Sequence, residues 1–155
     1  MLFSDSVMTE LTENVEIKYA DSGRLKAKLM APLLERFNTE NPYALMEKGI
    51  TGYFYNREGK PENSLKANYG IHYEKAKTIE VRNAVKLTNS KNETLTTEKL
   101  IWDQRSGKIY TDQFVTINTA ENIIYGTGFE SNQNFSEYRI FNVQGTINVK
   151  DAKAE

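Results

Sequence analysis

Asp103 and Asp112 flank one hairpin of this 155-residue chain, and a carboxylate pair is the equipment that acid–base cleavage of a glycosidic bond needs. Nothing stands beside the pair to support such a reaction. Cysteine is absent and His72 is the single histidine. That removes thiol catalysis, disulfides and Cys-ligated zinc, and it argues against a histidine-built centre. The two aspartates therefore read as a turn acid and a strand-end acid, both solvated. Gly126-Thr127-Gly128 has the start of a phosphate loop but no third glycine and no following helix. Glycines so placed mark a bulge or a close approach of two backbones. No catalytic residue, metal ligand or cofactor is assigned, and the chain reads as no enzyme. A net charge of −1 without a basic stripe excludes nucleic acid as a partner. Lys75, Arg105 and Lys108 fall at turns; they are solvated there unless a groove opens beside them, where they would meet phosphates.

The elements that carry these residues are strands, and they repeat. Leu95 to Ile117 lies over Leu65 to Leu87 at an offset of thirty positions: Leu65 on Leu95, Ala67 on Thr97, Ile71 on Ile101, Ile79 on Ile109, Val85 on Val115 and Leu87 on Ile117. An even offset keeps every matched side chain on its face. Leu65, Ala67, Ile71, Ile79, Val81, Val85 and Leu87, continued by Leu95, Ile101, Ile109, Val115 and Ile117, are expected to line one oily face. Lys66, Glu80, Lys86, Thr96 and Glu98 form the wet one. Leu100 and Trp102 break this parity, so a bulge is expected near Lys99. Trp102 is read as corner packing rather than a ligand platform, and the many tyrosines as a strand-propensity effect first.

Along the chain, residues 1–13 are a lead-in, partly disordered. A hairpin spans residues 15–29 around Asp21-Ser22-Gly23, with Val15, Ile17 and Tyr19 alternating in its first arm. Another strand is expected over Leu33–Phe37 after Pro32, and an insertion over 38–47, where Asn41-Pro42 breaks regular structure. The final strand, Gly145-Thr146-Ile147-Asn148-Val149, turns Ile147 and Val149 inward; residues 151–155 are a frayed tail. About sixteen short strands with turns every 8 to 12 residues argue for one all-β domain, a sandwich or roll, over residues 14–150. No apolar run reaches membrane-spanning length, and no signal peptide stands at Met1. Neither end strand carries an edge guard, so both are expected to dock partners by strand addition.

Three stretches carry a family resemblance. They are the Leu25-x-Ala27 hairpin after Asp21-Ser22-Gly23, Leu100-Ile101-Trp102-Asp103 before Gly107-Lys108-Ile109-Tyr110, and Ile124-Tyr125-Gly126-x-Gly128-Phe129-Glu130. Over residues 10–148 the chain resembles LptC, the periplasmic lipopolysaccharide-export component of Bacteroidetes-type bacteria, within the wider OstA/LptA repeat group. The resemblance implies a twisted β-jellyroll, open along one seam, built from stacked repeats of short antiparallel strands. It implies lipopolysaccharide as ligand, with acyl chains inside and sugars and phosphates outside. It implies two partners, the inner-membrane lipopolysaccharide ABC transporter at one end and an LptA-like periplasmic jellyroll at the other. It further implies a periplasmic location with an N-terminal inner-membrane anchor that this sequence does not contain. The rival readings are an LptA-like soluble bridge and a carbohydrate-binding or adhesin-like β module.

Overall fold

Alternating apolar and polar residues specify extended chain. The computed structural model describes residues 8–148 and holds them in one antiparallel sheet of twelve strands, with no helix among them. The first two strands, β1 (Met8–Asp21) and β2 (Arg24–Phe37), form a hairpin. Its turn residues Ser22 and Gly23 both have positive φ, 53° and 77°. Such a turn matches the right-handed twist of the strands it joins. β1 begins inside the expected lead-in, so residues 8–13 are strand. β2 runs unbroken through Pro32, where a separate strand over Leu33–Phe37 was expected. Residues 27–30 of β2 pair with β4 (Ile50–Tyr55) and residues 35–37 with β3 (Tyr43–Met46). Pro32 sits between the two pairings, and a residue without an N–H is tolerated where the partner strand changes. β3 occupies the end of the segment read as an insertion.

The same change of partner recurs along the sheet and folds it. The remaining strands are β5 (Pro61–Ala67), β6 (Tyr69–Tyr73), β7 (Thr78–Thr88), β8 (Thr94–Asp103), β9 (Lys108–Asn118), β10 (Asn122–Asn132), β11 (Tyr138–Ile140) and β12 (Val143–Asn148). β7 pairs with β6 through residues 78–82 and with β5 through 64–66 against 86–88. β10 pairs with β11 in its second half and β12 in its first. Ladder irregularities fall in line between Arg82 and Val85, between Thr97 and Ile101, and between Thr127 and Phe129. A bulge bends a strand, and a row of bulges bends the whole sheet into two layers. β4, β5 and β12 belong to the first layer; β3, β6 and β11 belong to the second. β1, β2 and β7 to β10 pass through both. Twelve strands replace the expected sixteen because these long strands turn the corner without a break.

The two layers face one another across a single core. Leu29, Phe54 and Leu65 of the first layer and Ile79, Val81, Leu100, Trp102 and Ile109 of the second surround a residual void of about 10 Å³. That is room for no more than about one water. Opposite the row of bulges both layers end in turns, and no backbone ladder joins them there among the described residues. The architecture is all-β, an open twisted jellyroll with one mouth.

Among the described residues the sheet's outermost strands are β1, paired with β2, and the β11–β12 pair, each paired with β10. Ile147, expected inward, is 43% exposed, and Val143 of the same strand is 57% exposed. The layer opposite them ends in β11, only three residues long, which leaves these two side chains exposed among the described residues. Val149, the lead-in 1–7 and the tail 151–155 lie outside the described residues.

Candidate functional site: the interior and its mouth

Leu65, Ala67, Ile79, Val81, Val85, Leu87, Leu95, Ile109, Val115 and Ile117 all point between the layers and are buried in one core. Ile71 and Ile101 face the other way. Ile71 is buried on the outside of the second layer with Tyr43 and Leu45, under Phe37, Tyr69 and Tyr73. Ile101 lines a shallow outer depression with Tyr110 and Phe141. Their reversal has a local cause. From Ala67 to Gly70, and from Thr97 to Leu100, the corner takes three residues, so the inward positions change from odd to even. Leu100 and Trp102 turn inward by the same shift, as the bulge near Lys99 requires.

Trp102 is not at the corner. It lies one residue from the end of β8, at the mouth. Its ring meets Phe54 of the first layer edge-on, centroids 5.1 Å apart, and Tyr19 at 5.3 Å. Its Nε1–H donates to Gln133 Oε1 at 3.2 Å. Gln133 belongs to the turn between β10 and β11, which folds over the mouth. In that turn Phe135 takes a positive φ of 54° and is wholly buried against Phe129 and Tyr138. Two side-chain bonds cross from the first layer to this turn. Asn63 Nδ2 donates to the Gln133 carbonyl at 2.6 Å, and Asn89 Nδ2 donates to the Phe135 carbonyl at 3.1 Å. The mouth is therefore bridged by this turn and by side chains, with no backbone ladder between the layers among the described residues. Burial pushes the Tyr19 hydroxyl up to about 12, partly offset by the neighbouring Gln104 amide.

Outside Trp102 the mouth widens into a cleft of about 680 Å³ between the turns of the two layers. Arg105 lines it; Lys75 instead donates to the Glu40 carbonyl, and Lys108 pairs with Glu130 at 3.2 Å. The aspartates are apart and outside. Asp103 Oδ1 accepts the Arg105 N–H in the turn, at 3.0 Å, and Asp112 is an exposed residue near Lys99, 3.9 Å away. Gly126 and Gly128 sit where β10 passes beneath the corner between β11 and β12. A Cβ on Gly126 would lie 2.9 Å from the carbonyls of Phe141 and Asn142, and Gly128 holds φ +99°. They serve a close backbone approach, not a phosphate.

Two acid-sensitive groups sit in the second layer. Burial holds His72 below its ordinary 6.5, partly offset by Glu74. The Arg36 guanidinium, bonded to both Glu74 oxygens at 2.8 and 3.0 Å, holds Glu74 below its ordinary 4.5. In both cases the unfolded chain takes the proton first. Stability is then complete above the unfolded value and declines as pH falls below it, first under 6.5 for His72 and again under 4.5 for Glu74. Thermal melts across pH 7 to 4 are expected to show both declines, and His72→Phe to remove the upper one. A melting profile flat from pH 7 to 5 in the parent protein would contradict this.

A bent antiparallel sheet folded over a largely apolar interior, with no metal-holding cluster among the described residues, is an open β-jellyroll. Residues 4–148 match the family described as LptC, lipopolysaccharide-assembly, LptC-related. The chain belongs to the LptC family and is a non-enzymatic, periplasmic component of lipopolysaccharide transport. No curated protein matches it significantly. Among the described residues no helix is long and apolar enough to cross a membrane.

Proposed function

We propose that this protein receives lipopolysaccharide from the inner-membrane ABC transporter, holds its acyl chains between the two layers, and passes it to an LptA-like jellyroll. One observation carries the reading: the interior is bounded on one side by continuous strands and on the other by one turn and side chains, with no strand ladder between the layers among the described residues. The layers can part at the mouth without losing a single ladder hydrogen bond. The interior side chains that pack on each other in the closed state are then free to meet acyl chains, at about 25 cal/mol per Å² of apolar surface removed from water. A photoreactive side chain at Leu87, inward and fully buried, is expected to cross-link to lipopolysaccharide; the same group at exposed Lys86 is not. Equal cross-linking at both positions would place the lipid on the surface and defeat this reading.

The edge strands supply the hand-off. β1, with Val15, Ile17 and Tyr19, serves the transporter side, and β12, from Val143 through Gly145, Thr146, Ile147 and Asn148, serves the next jellyroll by strand addition. An N-terminal segment holds the domain at the inner membrane. Val143→Asp with Ile147→Asp places two charges on the exposed edge side chains. Capture of an LptA-like jellyroll is expected to fall at least about tenfold, with melting temperature unchanged. Undiminished capture would exclude β12 as the docking edge.

A further inference from the structure

The cleft at the mouth is a concentration of unpaired positive charge. Arg24, Lys26, Arg57, Lys77 and Arg105 all line it, against one carboxylate, Asp21. The whole chain is net negative, so this is a local choice. Among the described residues none of the five lies within 4.0 Å of a carboxylate. Arg105 is held in place by donating to the Lys75 carbonyl at 3.2 Å. Like charges gathered without partners repel one another unless an anion joins them, and guanidinium forks suit phosphate oxygens. The floor of the cleft adds polar groups. The Tyr19 hydroxyl and the Gln104 amide, which interact with one another, both line it. Trp102 forms part of both the cleft and the lining of the interior void, so the two spaces share a wall.

We propose that the five cations of this cleft hold the phosphate of the lipid's sugar head at the β1–β2, β4–β5, β6–β7 and β8–β9 ends of the layers, beside Trp102. This rests on the lipid-carrier reading above. It adds a polar recognition site to a cavity that by itself distinguishes no head group.

The test compares diacyl glucosamine 1-phosphate, the same lipid without phosphate, glucosamine 1-phosphate and inorganic phosphate. Each is titrated against the parent protein and against Arg24→Gln/Arg57→Gln/Arg105→Gln. All three side chains are exposed, so the fold should survive, which a melt confirms. The parent is expected to bind the phosphorylated lipid about tenfold or more tightly than the dephosphorylated one, a preference the triple variant loses while keeping its affinity for the dephosphorylated lipid. Equal affinity of the parent for both lipids overturns the head-group site and leaves lipid carriage standing. Variant-sensitive binding of glucosamine 1-phosphate with neither lipid bound supports the site and defeats lipid carriage. Inorganic phosphate bound as tightly as the sugar phosphate shows a simple phosphate site and overturns sugar-head recognition. No binding of any probe defeats both.

Discussion

Val115→Glu is expected to be the most damaging single change in this protein. Val115 is fully buried between the layers, in β9 opposite Thr97 of β8. A carboxylate there must either ionise away from water, at several kcal/mol, or take up a proton and still overfill the site. Domains of this size are stable by only about 5–15 kcal/mol, so much of that margin goes. The neighbouring Phe114 is 52% exposed on the outer face. Phe114→Glu is expected to shift stability by no more than about 0.5 kcal/mol. Urea denaturation of the two variants checks the contrast, and similar midpoints would refute the assignment of faces. The pair also bears on lipid binding. A Val115→Glu protein that remains folded and binds lipopolysaccharide undiminished would show that the interior does not hold acyl chains.

Phe135→Ala is the second large change, and it separates closure from stability. The Phe135 ring fills the core beneath the turn between β10 and β11, touching Phe129 and Tyr138. Removing a wholly buried phenylalanine costs about 3–5 kcal/mol in lost transfer energy and residual cavity. The same ring anchors the turn that bridges the mouth, through the bonds from Asn63 and Asn89. Without it the layers are held together at the mouth mainly by Trp102 and its aromatic neighbours. Lipid uptake is therefore expected to accelerate even as the melting temperature falls. Phe141→Ala, at an exposed ring, should alter neither. Stopped-flow uptake of a fluorescent lipid, read beside a melt, decides the matter. A destabilised variant with unchanged uptake would mean that this turn does not gate the interior.

Much of the architecture was legible from residue order. Period-two alternation, turn chemistry such as Asp21-Ser22-Gly23, and the thirty-residue offset all act locally or between sequence neighbours. They are enough to specify strands, hairpins and an oily face. Leu65, Val85, Leu87, Leu95, Val115 and Ile117 were placeable because each lies in a straight run between corners. Ile71 and Ile101 were not, since a three-residue corner reverses parity and nothing in the composition of Asn68 or Glu98-Lys99 states its length. The bulge near Lys99 could be inferred only because Leu100 and Trp102 would otherwise have been stranded on the wet face.

The mouth was invisible for a different reason. Asn63, Asn89, Gln133 and Phe135 are distant in sequence and unremarkable in type. An asparagine that builds its own turn, as Asn89 does through the N–H groups of Lys91 and Glu93, gives no sign that its amide also reaches the facing layer. The five cations of the cleft come from four separate hairpin ends, so no stretch of sequence is basic. By itself the sequence determined an all-β repeat with one apolar face and no reactive centre, because those properties follow from side-chain period and residue inventory. Only the tertiary structure decided which side chains close the mouth and where positive charge collects. Both depend on folding the sheet back on itself, which brings turns from its two layers to one edge.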